Sequence, residues 1–168
     1  MSRTGTIVRL LACLCLVATS TATKTWVVSE TGVGPFKIGM KLHELNAVLH
    51  EKLARDPQDD EACYYVTPSP HGHIAFMMID GRVARVDVDT PGIATSSGIQ
   101  VGDSEAHARQ VYGSQMKVTP HKYVDTGHYV TVRSVDGHYG IRFETDNGKI
   151  TSFYAGTYEA IQYVEGCE

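Results

Sequence analysis

The chain has 168 residues, of which 42% are apolar and 20% are charged, a composition typical of a globular protein. This composition excludes an intrinsically disordered chain, because disorder goes with low hydrophobicity and high charge. The formal net charge of −4 argues against a nucleic-acid-binding protein, since such proteins need a basic face to displace counterions from phosphates.

Residues 1–22 are predicted to be a secretory signal peptide. Arg3 and Arg9 form a positively charged start, residues 10–18 are apolar, and small residues with two candidate cleavage sites follow. The apolar run is too short to span a bilayer as a helix, and no later run approaches that length, so we expect no transmembrane segment in the mature chain. Two alternatives are an uncleaved anchor and a lipoprotein attached through Cys13, which ends a lipobox-like run.

Removal of the signal peptide would change the charge and the cysteine count. Loss of Arg3 and Arg9 lowers the number of Lys and Arg residues from 15 to 13 against 19 acidic residues, which gives a mature charge of −6. Only Cys63 and Cys167 remain, and in an oxidising compartment two cysteines predict one disulfide. That disulfide would tie the C-terminal tail to an early strand. The alternative is two buried free thiols.

The remainder of the chain contains an internal duplication. Residues 38–49 and 101–112 each contain an apolar residue, a glycine, a polar entry and a predicted helix. Asp103 or Ser104 would cap the second helix, and Gly113 would end it. The apolar positions of the two helices match at an offset of 63 residues, namely Leu45, Val48 and Leu49 against Ala108, Val111 and Tyr112.

The segments downstream of the helices also match. Residues 80–86 are similar to residues 147–153, at an offset of 67, and at this offset Ile74 and Phe76 fall on Ile141 and Phe143. Each half therefore predicts a helix, two strands, a tight turn and a third strand. We expect an α+β fold of two tandem helix-β-β-β repeats, residues 23–95 and 96–168, which form one compact unit. Both helices would pack on one face of a six- to seven-stranded, largely antiparallel sheet.

Glycine-containing turns predict the strand registers. A three-residue loop at 146–148 would place Thr145 opposite Lys149. A two-residue turn at 136–137 would bring Val130 and Val132 to the inner face, whereas a slip of one residue would bury Tyr129 and Thr131 instead. With the equivalent choice at 79–81, the predicted inner face comprises Ile74, Phe76, Ala84, Val86, Val130, Val132, Ile141, Phe143, Thr151 and Phe153.

This organisation resembles the superfamily of the secreted β-lactamase inhibitor protein and the small BamE-like outer-membrane assembly lipoproteins. The resemblance rests on the Ile/Val-Gly entry into a short helix and on the β-hairpins that follow, both present twice within about residues 32–156. The inhibitor has one disulfide in each repeat, whereas this chain could form only one, between the repeats. The resemblance implies a non-catalytic protein-binding scaffold and assigns no functional residue.

The sequence has no catalytic or cofactor motif that we recognise. GxSxG, HExxH and P-loop patterns are absent, and the glycine-rich segment 32–37 lacks the Gly-Lys-Ser/Thr ending of a phosphate loop. We therefore predict that the protein is not an enzyme and has no cofactor. His71 and His73 would share one face of a strand and could form a weak two-histidine metal site, although surface histidines are the simpler interpretation.

The outer face of the sheet is the predicted partner-binding surface, because Tyr, Arg and Met are enriched in interfaces. An ordinary solvated sheet face is the alternative. The tail, residues 156–164, is apolar enough to pack, and Cys167 would pin it, although a displaceable regulatory tail is an alternative. The predicted surface residues are Met77, Arg85, Asp87, Tyr129, Arg133, Arg142 and Tyr154.

The favoured function is an exported, non-enzymatic module that binds a protein of the envelope or the extracellular space. Inhibition of an extracytoplasmic enzyme is one form that this function could take. The first alternative is a factor for assembly or maintenance of the cell envelope. The second is a periplasmic protein that binds a small ligand or a metal.

Overall fold

The structure is a computed structural model that describes residues 26–69 and 73–167. The predicted signal peptide, the candidate lipidation site Cys13 and His71 lie outside these residues. Two helices are described, α1 (Leu42–Leu49) and α2 (Glu105–Tyr112), and 3-10 turns lie at Gly113–Gln115 and Ala160–Gln162. The strands are β1 (Val27–Ser29), β2 (Gly32–Val33), β3 (Phe36–Lys37), β4 (Cys63–Val66), β5 (Ile74–Ile79), β6 (Arg82–Val88), β7 (Ala94–Thr95), β8 (Met116–Pro120), β9 (His128–Arg133), β10 (Tyr139–Asp146) and β11 (Lys149–Thr157).

The main sheet has seven strands in the order β4-β5-β6-β11-β10-β9-β8, and every neighbouring pair is antiparallel. The predicted α+β class is therefore confirmed, as is a largely antiparallel sheet. A second, four-stranded sheet has the order β3-β2-β1-β7, with β1 and β7 parallel. The sequence did not predict this small sheet, because its strands are two or three residues long and show no alternation.

The core lies on the inner face of the main sheet. Leu45 of α1 and both Ala108 and Tyr112 of α2 belong to the core, and the Tyr112 ring centroid lies 5.9 Å from that of Phe143. Val48 and Val111 do not join it, since they are 39% and 41% exposed. The apolar face of each helix is therefore narrower than the sequence predicted. The residue missing from it occupies the corresponding position in both helices.

Both helices begin beside a hairpin of the main sheet. Gly39 N donates to Val83 O (2.7 Å) ahead of α1, and Gly102 N donates to Ile150 O (2.8 Å) ahead of α2. Ser104 caps α2, as its side chain accepts from His107 N at 3.0 Å. Gly113 is the residue that ends α2, as predicted.

The registers at two turns differ from the predicted ones. Asp146 pairs with Lys149, so the loop is a two-residue Asn147-Gly148 turn with positive φ at both residues, the type I′ pattern. The pairing then shifts between Glu144 and Thr145. The two-residue turn places Ile150 opposite the buried Thr145, and the β-bulge leaves Thr151 unpaired. Ile150 is therefore buried and Thr151 exposed, the reverse of the prediction.

The β5–β6 hairpin has the same construction. Asp80 and Gly81 form the two-residue turn, and the pairing shifts between Met77 and Met78, which leaves Ala84 as the unpaired residue. Ala84 consequently packs with Met77 and Ala160 on the outer face, not on the predicted inner face. The other predicted inner residues are buried, namely Ile74, Phe76, Val86, Val130, Val132, Ile141, Phe143 and Phe153.

The third predicted register is confirmed. Val132 pairs with Ile141, and Val130 with Phe143, so both valines lie on the inner face. The loop is longer than the predicted two residues, because the last backbone hydrogen bond of the hairpin runs from Ser134 N to Tyr139 O (2.9 Å).

The C-terminal strap, residues 158–167, crosses the outer face of the main sheet. Ile161 is fully buried. Cys63 and Cys167 form the predicted disulfide, with a Cα–Cα distance of 5.3 Å, and this bond fastens the end of the strap to β4. Such a bond is compatible with an extracellular or periplasmic location, where thiols are oxidised. Within the described residues, neither helix is long and apolar enough to cross a membrane.

Candidate functional site

The seven residues of the predicted partner-binding surface lie on the outer face, but the strap covers most of them. The expectation that this face is open to solvent is therefore corrected. Arg133 is exposed, and the side chain of Asp87 is 25% exposed. The five buried residues, with their exposed fractions, are Met77 (0%), Arg85 (3%), Tyr129 (5%), Tyr154 (5%) and Arg142 (8%).

A trough lined by two glycines lies in the outer face, and the strap packs into it. Gly140 and Gly156 pair across β10 and β11, between Arg133 on one side and Arg85 on the other. A Cβ atom added to Gly140 would lie 2.7 Å from Ile161 Cδ1, so the absence of a side chain makes room for the strap. The flanking arginines also contact the strap.

Arg85 uses all five N–H donors of its guanidinium group within the chain. Its Nε and Nη2 donate to the two carboxylate oxygens of Asp87, at 2.7 Å each. Nη1 donates to the carbonyl oxygens of Ala160 (3.0 Å) and Tyr163 (2.7 Å), and Nη2 also donates to the Tyr65 hydroxyl oxygen at 2.5 Å. A guanidinium group has five donors in total, so Arg85 has none left for a ligand.

A second polar chain begins at Tyr154, whose ring lies 4.3 Å below the Arg85 guanidinium carbon. The Tyr154 hydroxyl donates to Glu144 Oε1 (3.0 Å), and the other Glu144 oxygen lies 3.4 Å from His121 Nε2. The His121 ring stacks on Tyr129 with a centroid separation of 4.4 Å. The buried part of the outer face therefore contains a connected polar network beside the apolar cluster of Met77, Ala84 and Ala160.

Arg142 attaches the strap at the other end of this network. Its Nε donates to Thr131 Oγ1 at 3.0 Å, and its Nη2 donates to Gln162 Oε1 in the strap. Its guanidinium carbon also lies 5.2 Å from the centroid of the Tyr129 ring. Arg85 and Arg142, which the sequence placed in a partner interface, bind the protein's own C-terminal strap.

A cleft of about 470 Å³ remains between the sheet and strap residues 163–166. We call it the strap cleft. This volume lies within the range of ligand pockets in proteins, roughly 300–1,000 Å³. The polar residues that line it are Tyr65, Thr67, His73, Arg85, Asp87, Asp89, Glu144, Ser152, Tyr154, Tyr163 and Glu165.

Burial helps to keep two tyrosines of the strap cleft protonated. It raises the pKa of Tyr65 and of Tyr154 above their usual values, and Asp87 and Glu144 respectively add to the effect. Both hydroxyl groups therefore stay protonated and keep donating. Burial also raises the pKa of Asp87, against the opposing effect of its two hydrogen bonds from Arg85.

A second accessible feature is the hairpin tip, residues 133–139. Val135 is fully exposed at its end. The Ser134 hydroxyl donates to Asp136 Oδ1 (2.6 Å), which also accepts from His138 N (3.0 Å). These internal hydrogen bonds hold the pKa of Asp136 below its usual value. The loop thus satisfies its own polar groups and projects an apolar side chain.

Arg133 forms the base of this hairpin tip. Its Nε donates to Gly137 O at 3.0 Å, and its guanidinium carbon lies 4.0 Å from the centroid of the Tyr158 ring. The sequence predicted Arg133 as a surface residue, but it gave no signal for the contact with Tyr158, which is remote in the chain.

Of the two histidines predicted to form a weak metal site, only His73 lies within the described residues. His73 is exposed at the rim of the strap cleft, and His71 lies outside the description. Across residues 26–69 and 73–167, no group of three His, Cys, Asp or Glu side chains could hold a metal ion.

Sequence reasoning missed Tyr65 and Glu165 as cleft residues. Tyr65 lies on β4, and Glu165 lies in the strap, where its carboxylate pairs with Lys122 Nζ at 2.7 Å. The available signal was the apolar tail ending in Cys167, which indicated a packed segment but did not indicate which face it would cover.

No family model matches this chain, and no curated protein matches it. Among solved structures, the chain is similar to the crystal structure of a cysteine-rich secretory protein from Staphylococcus aureus subsp. aureus Mu50, with a TM-score of 0.39 and 13% sequence identity. The match covers 78% of this chain and 48% of that one, so the chain spans about half the length of that protein.

Proposed function

We propose that the protein is an exported, non-enzymatic module that binds another protein through its hairpin tip, as an inhibitor of an extracytoplasmic enzyme would. The observation that carries this proposal is the fully exposed Val135 on a loop whose polar groups bond to one another. A loop that is already ordered loses little conformational entropy on binding. The apolar tip fits a concave apolar pocket of the partner.

The residues beside Val135 support the same proposal. Arg133 and Tyr158 present a stacked guanidinium and ring at the base of the loop. Arg and Tyr are enriched among the interface residues that dominate binding energy. Of the seven residues that the sequence assigned to a partner-binding surface, Arg133 is the one that the strap leaves exposed, and the proposal moves the surface to its end of the sheet.

We also propose that the scaffold arose by tandem duplication of residues 23–95 and 96–168. Both hairpins have a two-residue turn, and their bulged residues, Ala84 and Thr151, are 67 positions apart, as their turns are. The isolated bridges Lys41–Arg82 and Ser104–Lys149 also correspond, at the offsets of the helices and of the hairpins.

The pairing of β6 with β11 supports the duplication further. Val86 pairs with Ala155, and Val88 pairs with Phe153. At the offset of 67 residues, Val86 corresponds to Phe153 and Val88 to Ala155, so exchanging the two halves converts each pair into the other. This exchange defines a local two-fold axis between the repeats. A symmetric scaffold with unequal loops allows one hairpin tip to specialise in binding.

Site-specific photo-crosslinking tests the proposed function. The mature protein, from residue 23, would carry a photoreactive amino acid in place of Val135, and the control would carry it in place of Val111, an apolar residue that is 41% exposed on α2. We expect one covalent partner from the envelope or the culture medium at position 135 and none at position 111. The same products at both positions, or no product at 135, would contradict the proposal.

A quantitative test uses the partner identified in this way. Val135→Asp should weaken its binding at least about tenfold, since a charge would be driven into an apolar pocket. Val111→Asp should leave the affinity unchanged. Val135→Asp should unfold at the same urea concentration as the parent protein, because the Val135 side chain is fully exposed.

A further inference from the structure

The strap cleft is unusual in its balance of donors and acceptors. Its one guanidinium group, Arg85, has no free donor, as all five N–H groups bond within the chain. The Tyr65 hydroxyl donates to Asp87 Oδ2 (3.1 Å), and the Tyr154 hydroxyl donates to Glu144 Oε1 (3.0 Å). The strongest donors on the floor of the cleft are therefore already used.

Acceptors, in contrast, remain available there. A carboxylate offers about four lone-pair sites. Asp87 receives two hydrogen bonds from Arg85 and one from Tyr65. Glu144 receives one from Tyr154, and its second oxygen contacts only His121, at 3.4 Å. The side chains of Asp87 and Glu144 are 25% and 23% exposed, so these free acceptor sites are open to the cleft.

The charge of the residues that line the cleft also favours a ligand that donates hydrogen bonds. Four carboxylates line the strap cleft, namely those of Asp87, Asp89, Glu144 and Glu165. Arg85 offsets the charge of Asp87, and Lys122 offsets that of Glu165. Glu144 and Asp89 have no Lys or Arg partner among the described residues. An anion would meet these two charges without a free guanidinium donor, whereas a cation with several N–H groups would meet open acceptors.

We propose that the strap cleft is a binding site for an organic cation, a guanidinium or ammonium group that Glu144, Asp87 and Asp89 accept. The aromatic residues Tyr65, Phe153, Tyr154 and Tyr163 also line the cleft, and an aromatic face attracts a cation. The cation belongs either to a small molecule or to a basic side chain of a partner protein. This site is separate from the hairpin tip and does not depend on the proposal made for it.

Calorimetric titration of the oxidised mature protein tests this site directly. The cationic probes are arginine amide and lysine amide, each acetylated at the α-amino group so that the side chain carries the only charge. The matched probes, acetylated in the same way, are glutamine amide, which is uncharged and should not bind, and glutamate, which is anionic. We expect saturable binding of at least one cationic probe and none of the anion. No saturation by either cationic probe up to about 10 mM, or equal binding of glutamate, would overturn the proposal.

Two conservative variants locate the binding. Glu144→Gln keeps the acceptor for Tyr154 and should weaken the binding of the cationic probe about tenfold. Asp89→Asn removes the charge of an exposed residue at the same cleft and should weaken it several-fold. Asp59→Asn makes the same change of net charge at an exposed loop position outside the cleft lining and should change it less than about twofold. An equal loss in all three variants would mean that overall charge alone attracts the probe, and the proposed site would be rejected.

A further arm distinguishes the two sources of the cation. A blocked tetrapeptide with one internal arginine presents the same guanidinium on a protein backbone. Binding at least tenfold tighter than that of arginine amide would identify a side chain of a partner protein, while tighter binding of arginine amide would identify a small molecule. Far-ultraviolet circular dichroism of each variant confirms that the fold is retained before its affinity is compared.

Discussion

At the scale of single residues, Gly140 decides whether the strap can lie on the sheet. A Cβ atom at this position would lie 2.7 Å from both Ile161 Cδ1 and Val132 O, closer than carbon and oxygen atoms normally approach. We expect Gly140→Ala to lower the free energy of unfolding by about 1–3 kcal/mol, the usual effect of overpacking a well-filled site. Urea denaturation measures this change.

A second substitution tests the cause of that loss. Ile161→Val shortens the side chain that meets the new methyl group, so Gly140→Ala should be less destabilising in the Ile161→Val background than in the parent protein. Strict additivity of the two changes would show that the clash with Val132 O alone causes the effect. An unchanged denaturation midpoint for Gly140→Ala would contradict both close contacts at this position.

Single residues also show which features of the site the sequence could not predict. Alternation placed Arg85, Arg142, Tyr129 and Tyr154 on one face, and the structure brings them together there. Alternation does not report what covers a face, because that depends on the path of a segment far along the chain. The polar character of these residues suggested a solvated surface, but their partners lie within the chain. They are strap carbonyls, the Gln162 side chain and neighbours on the sheet, among them Asp87, Thr131 and Glu144.

At the scale of elements, the two-residue turns set the geometry of both hairpins. Gly81 and Gly148 have φ values of 71° and 72°, and a Cβ atom at either position would meet no atom within 4 Å. The expected loss on Gly81→Ala or Gly148→Ala is therefore the backbone penalty alone, about 1–2 kcal/mol and equal at the two sites. Urea denaturation midpoints compare them.

A control for this prediction is Gly148→Asn. Asparagine tolerates the left-handed region better than alanine, so Gly148→Asn should lose less stability than Gly148→Ala. Equal losses from asparagine and alanine would indicate a steric cause instead. Clearly unequal losses at Gly81 and Gly148 would contradict the equivalence of the two turns.

The two hairpins also explain why the buried face of each strand was easier to predict than the residue pairs across the strands. An Asp-Asn-Gly sequence is compatible with a two-residue or a three-residue loop, and the two choices differ by one residue in register. The bulge at Thr151 adds one residue back, so Ile141, Phe143 and Phe153 reach the predicted face although their pairing differs. Only the residues between turn and bulge, Ile150 among them, exchange faces.

At the scale of the whole molecule, composition and patterning predicted the main sheet but not the second one. The seven-stranded sheet is built from alternating segments of four to nine residues, which leave a clear signal. The small sheet joins strands of two or three residues, including the parallel pair β1 and β7, which are far apart in sequence. Its pairing depends on tertiary contacts, for which one sequence has no signal.

The disulfide joins the two halves of the molecule and should supply a large part of its stability. Cys63 and Cys167 are separated by 104 residues, and closure of a loop of this length restricts the unfolded chain by about 4–5 kcal/mol in the chain-entropy model. The Cys63→Ser/Cys167→Ser variant should lose about that much free energy of unfolding. Because the strap is also held by Ile161 and by the hydrogen bonds of Arg85, the folded state itself should persist.

Reduction of the parent protein provides the matched measurement, since a reductant breaks the same bond without a substitution. The reduced parent and the double serine variant should unfold at nearly the same urea concentration, and the reductant should not affect the variant. Hydrogen exchange separates the two contributions, as loss of the bond should speed exchange first at residues 164–167 and leave the hydrogen-bonded amides of Gln162 and Tyr163 protected. A reduced parent as stable as the oxidised one would mean that noncovalent contacts alone restrain the strap, and the wall of the strap cleft would then not depend on the disulfide.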